Sequence, residues 1–294
     1  MKLLILLCLL PIFSFGAKPR LILDADTANE IDDLYAITRM LKQDKFEVLA
    51  LSSAQWFHYL SGERTVHQSQ ALNEKMIKLL GRPNLPVPLG ADQAMGKPWG
   101  GFEPKDSPAA QFIIKAAKET PADEKLIVMC LGASTNLASA IAIAPEIVPR
   151  LDAYLLGFRY DFEKKVWNKS SFNVRRDLNA ADFLLNQKDL ALSIMPANVA
   201  RPLMFEKAET FEKNKALGPL GEALTNRWKE HSPEHLTKWV MWDLALVQAL
   251  IHPEMAETIE ITTPAENVQR KVTLYKKIDQ QKMAADYWTT VLEK

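Results

Sequence analysis

Two patterns of apolar and polar positions alternate along the chain, and they predict alternating strands and helices. Continuous apolar runs at residues 21–23 and 126–131, and a mostly apolar segment at residues 46–52, are typical of strands in a buried parallel sheet. The run at residues 21–23 leads into a segment with apolar residues at helical spacing, namely Ile31, Leu34, Tyr35, Thr38 and Leu41. A strand followed directly by a helix is the repeating unit of α/β proteins.

The remaining pattern continues this alternation. It predicts helices at residues 63–80, 137–144, 180–186, 207–228 and 236–251, and a further helix that begins at Ser107-Pro108. It predicts strands at residues 87–92, 153–156 and 190–195, and a terminal antiparallel pair at residues 258–262 and 272–275. The expected fold is therefore α/β, with a doubly wound, mostly parallel central sheet and helices on both of its faces.

Four aspartates and a glutamate lie within ten residues where the first strand meets the first helix: Asp24, Asp26, Glu30, Asp32 and Asp33. Carboxylates this close repel one another unless a cation or hydrogen-bond donors compensate them. A hard metal ion such as Ca²⁺ or Mg²⁺ would do so through oxygen ligands. Open α/β sheets bind ligands at this end of their strands, so we expect a metal or sugar site here.

A structural explanation accounts for only part of this cluster. Asp32 and Asp33 suit the first turn of a helix, with Asn29 as its N-cap. Asp24 and Asp26 gain nothing from capping, because a buried strand end is a costly place for an unpaired charge.

Residues 1–16 have the form of a secretory signal peptide, with Lys2, an apolar run at residues 3–13 and small residues after it. Residues 17–294 are then expected to form a single domain of an exported protein, periplasmic or extracellular. That protein would keep one cysteine, Cys130, which is expected to be buried in a strand. The five histidines have no zinc-ligand spacing.

The charges balance at 36 basic and 36 acidic residues, which argues against nucleic acid or an anionic membrane as partner. A small neutral substrate fits this balance better. The sequence excludes neither a monomer nor a homo-oligomer.

Four motifs in order resemble the inosine-uridine preferring nucleoside hydrolases. The acid cluster reads D-A-D-T-A-N-E-I-D-D where the family has D-x-D-P-G-x-D-D. The other three matches are the turn at residues 131–136, Ser171-Phe172-Asn173 with Asp177, and Trp242-Asp243-Leu244-Ala245. The resemblance implies calcium-dependent hydrolysis of the N-glycosidic bond of ribonucleosides, with release of base and ribose.

It also implies roles for single residues. Asp26, Asp33, Asp243 and the carbonyl of Leu131 are the expected Ca²⁺ ligands, and Asp26 is also the expected general base for water. Asp32 and Asn173 would bind ribose hydroxyls, and Asp24 would support the site from behind.

Two positions depart from the family pattern. Ser171 replaces a glutamate that faces the sugar, and Asn168 or Ser171 itself is the candidate substitute. Trp242 replaces the histidine that protonates the leaving base, and it resembles the tryptophan of the purine-specific branch, where the base stacks between indoles. Trp99, in a Gly/Pro-rich loop, is the candidate for the second indole, with Trp56 next.

Structural explanations stay open for several of these residues. Trp242 could be a core aromatic, and Asn173 could serve a turn. For Thr135-Asn136 a helix cap is the preferred explanation.

Two other functions remain as alternatives. One is a secreted nucleoside- or sugar-binding protein that kept the fold and lost turnover. The other is a haloacid-dehalogenase-like Mg²⁺-dependent phosphatase, which Asp24-Ala25-Asp26 at a strand end also resembles.

Overall fold

A computed structural model describes residues 17–293 of the chain. The signal peptide predicted at residues 1–16 lies outside the described residues. In the described residues no helix is long and apolar enough to span a membrane.

A seven-stranded sheet forms the centre of the structure, in the order β10-β11-β7-β4-β3-β1-β2. Its strands are β1 (Arg20–Ala25), β2 (Glu47–Ser53), β3 (Leu126–Cys130), β4 (Leu151–Leu156), β7 (Ala191–Met195), β10 (Ala256–Thr262) and β11 (Lys271–Ile278). All neighbouring pairs are parallel except β10 and β11, which form the predicted antiparallel pair. Two short antiparallel ribbons stand apart: β5 (Arg159–Asp161) with β6 (Val166–Asn168), and β8 (Met204–Glu206) with β9 (Lys238–Val240).

Helices cover both faces of this sheet, as predicted. They are α1 (Asp32–Leu41), α2 (Thr65–Leu79), α3 (Pro108–Glu119), α4 (Thr135–Ile143), α5 (Phe172–Arg176), α6 (Leu178–Leu185), α7 (Ala197–Ala200), α8 (Lys207–Asn214), α9 (Pro219–His231), α10 (Trp242–Ile251) and α11 (Gln280–Leu292). Alternate residues of β1 enter opposite layers: Leu21 and Leu23 pack with α1 and α10, whereas Ile22 packs with α3 and α4. Continuous apolar runs are thus explained by burial on both faces.

The order of strands around β1 determines where a ligand can bind. β1 lies between β2 and β3, so the chain leaves β1 to one side and returns on the other. Such a reversal leaves a crevice at the carboxyl ends of the strands. The acid cluster begins at the end of β1, so its carboxylates lie in this crevice.

One predicted strand is absent, and two predicted helices differ in extent. Residues 87–92 form no strand: the carbonyls of Pro86 and Pro88 accept hydrogen bonds from Leu51 and Ser53 of β2, but a proline has no N–H with which to continue the ladder. The helix predicted at 207–228 breaks before α9 at Gly218, whose φ of 59° suits glycine. The helix predicted at 236–251 begins only at Trp242, because residues 238–240 pair with β8.

Candidate active site

The acid cluster forms one wall of a cleft that is open to solvent. Asp26, Asp32, Asp33 and Asp243 line the cleft although each side chain is at most 4% exposed. The turn after β1 supplies Asp26, and the first turn of α1 supplies Asp32 and Asp33. The start of α10 supplies Asp243, more than 200 residues further along the chain. The fold therefore gathers the carboxylates that the sequence singled out.

Three of these side chains come close enough to share one cation. Carboxylate oxygens of Asp32, Asp33 and Asp243 all lie within 4.8 Å of one another. The predicted ligand set has Asp26 in place of Asp32; Asp26 lines the same cleft, and its Oδ2 has no hydrogen-bond partner among residues 17–293, as is also true of Asp33 Oδ1. Buried carboxylate oxygens without donors, with no nitrogen or sulfur ligand among them, suit a hard divalent cation.

Asp32 also holds the two helices of this wall together. Its Oδ2 accepts a hydrogen bond of 3.0 Å from the backbone N–H of Asp243, in the first turn of α10. The residue before α10, Met241, has no side chain that could cap the helix, and Asp32 takes that part from α1. Asn29 is not the N-cap of α1; Ile31 holds that position, so the capping explanation of the cluster was wrong about Asn29.

Asp24 lies behind the cleft, where neutral donors surround it. The hydroxyl of Ser52 and the side-chain amide of Asn136 donate to its Oδ1 at 2.6 and 2.9 Å. Burial raises the pKa of Asp24 to about 6, and these two donors oppose the rise. Asn136 also donates to Ser53 O and accepts from Ala91 N, so it connects the ends of β1 and β2 to the segment at Ala91. It does not cap α4, which the sequence favoured.

Burial and mutual repulsion raise the pKa values throughout the cluster. Burial and the negative charge of Asp32 raise the pKa of Asp26 to about 8. The pKa values of Asp33 and Asp243 lie well above their usual range, first because both are buried and then because they face other carboxylates. A bound cation would remove this penalty.

Glu30 lines the cleft too, although no role of its own was predicted for it. Burial and the charges of Asp32 and Asp26 raise its pKa to about 8. Its place in the acid cluster was the signal that could have identified it.

The backbone next to the cluster approaches very closely. A Cβ added to Gly132 would lie 2.8 Å from Cβ and Cγ of Asp26, so only glycine fits at this position. The neighbouring Leu131 carbonyl, the predicted backbone ligand, faces the cleft and accepts a hydrogen bond from the side-chain amide of Asn173. The same amide donates to Leu156 O at 3.1 Å, which fixes Asn173 between the ends of β3 and β4.

Other predicted residues divide into two groups. Trp242 lines the cleft beside Asp243, and Phe172, which the sequence analysis gave no role, lines it as well. Trp99 is 83% exposed in its loop, and Asn168 is exposed, with its side chain accepting a hydrogen bond from Ser170 N. Neither is among the residues that line the cleft, and Trp56 is buried beside His58.

Asp177 is the N-cap of α6, and its carboxylate also connects two other parts of the chain. Its Oδ1 accepts from Ala180 N at 2.9 Å in α6, while its Oδ2 accepts from Thr135 Oγ1 at 2.6 Å and Met95 N at 2.8 Å. This carboxylate therefore ties the Trp99 loop to α4 and α6. Thr135 is a partner of Asp177 and not a helix cap, contrary to expectation.

The family model for inosine-uridine preferring nucleoside hydrolases matches residues 21–291. The chain belongs to this family. Its members hydrolyse N-glycosyl bonds of nucleosides, so the protein is an N-glycosyl hydrolase, and the phosphatase alternative falls away.

Solved structures of nucleoside hydrolases share the fold. An enzyme described as an inosine-guanosine nucleoside hydrolase has a TM-score of 0.73 at 18% identity, covering 94% of this chain and 99% of its own. The plant nucleoside hydrolase PpNRh1 has a TM-score of 0.72 at 15% identity, covering 95% and 100%. A purine-preferring ribonucleoside hydrolase from Gardnerella vaginalis has 0.69 at 20%, covering 93% and 98%. No curated protein sequence matched the chain.

Proposed function

We propose that this nucleoside hydrolase is calcium-dependent and prefers purine ribonucleosides. The observation that carries the calcium dependence is the trio of buried carboxylates whose oxygens lie within 4.8 Å of one another. Asp33 and Asp243, with Asp26 and the Leu131 carbonyl beside them, would hold the ion. Ca²⁺ accepts six to eight oxygen ligands, so it can bind protein, water and a sugar diol together.

The protein's own groups then have distinct tasks. Asp26 Oδ2, which no described residue engages, takes the proton of the attacking water. Asp32 and Asn173 would bind ribose hydroxyls. Asp24, held by Ser52 and Asn136, keeps the end of β1 in place. The dense negative charge of this wall stabilises the positive charge that develops on the sugar as the bond breaks.

The preference for purines follows from the aromatic side chains at the cleft. Trp242 adjoins Asp243 and offers an indole face on which a two-ring base stacks. None of the described residues that line this cleft is a histidine, so an imidazole acid is missing there. Stacking on Trp242 would then assist the departure of the base.

We also propose that residues 1–16 direct export, so that the mature enzyme works in the periplasm or outside the cell. Fractionation of cells that produce the full chain, followed by N-terminal sequencing, tests this proposal. Cleavage near residue 16 is expected. A cytoplasmic protein that retains Lys2 would contradict it.

Release of free base from inosine, guanosine, adenosine, uridine and cytidine tests the main proposal. We expect hydrolysis with Ca²⁺, a higher kcat/KM for purines, and loss of at least about 10³-fold in kcat for Asp26→Asn. Asp152→Asn is the matched control, since it makes the same change in a largely buried carboxylate at the opposite end of β4. Asp33→Ala should abolish tight Ca²⁺ binding in calorimetry.

The same experiment separates the remaining alternative. Wild-type protein that binds inosine or guanosine without releasing base would show a binding protein that has lost turnover. Equal activity with EDTA and with Ca²⁺ would contradict the metal requirement, and equal kcat/KM for purines and pyrimidines would contradict the preference.

A further inference from the structure

The cleft has two walls of opposite character. One is the acidic wall described above, from the turn after β1 and the start of α10. The other is formed by the turn between β4 and β5, by Arg159 at the start of β5 and by Ser171, which directly precedes α5. Asn173 holds the start of α5 to the ends of β3 and β4 through its hydrogen bonds to Leu131 O and Leu156 O. A ligand in the cleft would therefore meet carboxylates on one side and donors on the other.

Arg159 is held by its backbone while its side chain stays available. Asn198 of α7 accepts a hydrogen bond of 3.1 Å from Tyr160 N, and Ala197 N donates to Phe158 O at 3.0 Å, so α7 fixes the residues on both sides of Arg159. The guanidinium is exposed and, among residues 17–293, has no carboxylate within salt-bridge distance. It therefore does not neutralise the acidic wall across the cleft.

Ser171 offers a second donor in the same place. The residue is 3% exposed and lines the cleft, yet its hydroxyl has no hydrogen-bond partner in the described part of the chain. A Cβ added to Gly157 would lie 3.7 Å from this oxygen, which places the hydroxyl against the turn that leads to Arg159. A buried hydroxyl without a partner is costly, so a ligand that accepts from it gains affinity.

A guanidinium and a hydroxyl together suit a phosphate. The guanidinium can donate two parallel N–H groups to an oxyanion, and a tetrahedral phosphate keeps a further oxygen for the hydroxyl. A sugar whose 2′- and 3′-hydroxyls lie at the acidic wall directs its 5′ substituent to the other side of the ring. We infer that Arg159 and Ser171 bind the phosphate of a ribonucleoside 5′-monophosphate. This inference rests on the proposed function, because it places the ribose between the two walls.

The rate comparison uses the Ca²⁺-loaded full-length chain with inosine and inosine 5′-monophosphate. The nucleotide should have a kcat/KM about 10- to 100-fold higher, the range expected of hydrogen bonds to a charged group. Arg159→Ala should reduce the nucleotide-to-nucleoside ratio by a similar factor. Arg159→Lys, which keeps the charge and loses the planar fork, should restore part of it. Arg175→Ala is the matched control, because Arg175 is exposed and lines a neighbouring cleft.

A binding measurement avoids turnover altogether. Ribose 5-phosphate should bind the Ca²⁺-loaded protein at least about tenfold more tightly than ribose in calorimetry, and Arg159→Ala and Ser171→Glu should each reduce that difference. Ser171→Glu introduces a carboxylate that repels phosphate at the same position.

The outcomes separate the two proposals. Efficient hydrolysis of inosine, with the nucleotide no better and ribose 5-phosphate binding no tighter than ribose, overturns this inference and leaves the proposed function intact. Base release from neither compound, with no binding of ribose or its phosphate, overturns the proposed function and this inference with it.

Discussion

Asp33→Asn is expected to stabilise the metal-free protein while it removes metal binding. The substitution leaves the shape of the side chain nearly unchanged and replaces one carboxylate of the acidic wall by an amide that can donate a hydrogen bond to Asp243. A change at a ligand usually destabilises a protein that has its metal. In this protein the carboxylates repel one another when no metal is bound. The substitution should therefore raise the stability of the metal-free protein and lower the stability of the metal-loaded protein.

The size of the effect follows from the distances in the cluster. The carboxylate oxygens of the trio lie within 4.8 Å of one another, and two unit charges at that limit repel by about 3.5 kcal/mol at an effective dielectric constant near 20. Burial and repulsion raise the pKa values of Asp33 and Asp243, so protons are partly retained and relieve some of this energy. We therefore expect a gain in unfolding free energy of about 1–3 kcal/mol at pH 8.

The gain should depend on pH in a defined direction. A carboxyl whose folded pKa is raised binds more protons in the folded state than in the unfolded one, so the metal-free wild type loses stability as pH rises from the unfolded value. For Asp26 that interval runs from 3.8 to about 8. The variant has one acid fewer in the cluster, so the difference should be small near pH 4 and grow toward pH 8.

Urea unfolding at pH 5 and pH 8, with EDTA or with Ca²⁺, measures all of this. With EDTA at pH 8 the variant should be the more stable protein, and with Ca²⁺ the wild type should be, because only the wild type gains binding free energy in its folded state. Asp152→Asn serves again as the control outside the cluster. A variant that is less stable than wild type with EDTA at pH 8 would refute the repulsion argument.

Three further predictions concern neighbouring residues. Gly132→Ala brings a Cβ to within 2.8 Å of Asp26, so Ca²⁺ affinity should fall about tenfold or more; unchanged affinity in calorimetry would contradict the close approach. Trp242→Leu should lower kcat/KM for purine nucleosides about 3- to 10-fold more than for pyrimidine nucleosides in the base-release assay. Burial raises the pKa of the Cys130 thiol, so in a chain that carries Cys8→Ser a thiol reagent should react only after unfolding; reaction of the native protein at neutral pH would disprove that burial.

Much of the fold could be predicted because the relevant signals are local. The apolar run at residues 126–131 indicates a strand that is buried on both faces. Ser107-Pro108 indicates the start of a helix, with a cap and a first-turn proline. The sequence erred where distant pairing decided the conformation. Residues 238–240 directly precede the apolar run of α10, yet they pair with β8, more than 30 residues away. The helix α11 was not predicted from the sequence, although Asp279 directly before it is its N-cap.

For the site, too, local signals could be read from the sequence and contacts between distant segments could not. The acids after β1 were evident because they adjoin one another, and motif resemblance supplied Asp243. Arg159 was missed, since nothing near it in sequence shows that the turn after β4 leads to the same cleft. Asn136 was assigned to a cap because its neighbours form a helix, whereas its partners, Asp24 and Ser53, come from two other strands.

The way the protein stabilises its acids shows what the cleft is built to bind. Across residues 17–293, no salt bridge involves Asp24, Asp26, Asp32, Asp33 or Asp243. Their compensation comes from neutral donors: a hydroxyl and an amide at Asp24, and a backbone N–H at Asp32. Lysine or arginine partners would lower the energy of the metal-free state, but they would occupy the oxygens a cation needs. The carboxylates therefore remain free to bind a metal ion, and the metal-free protein is less stable as a result because their pKa values are raised.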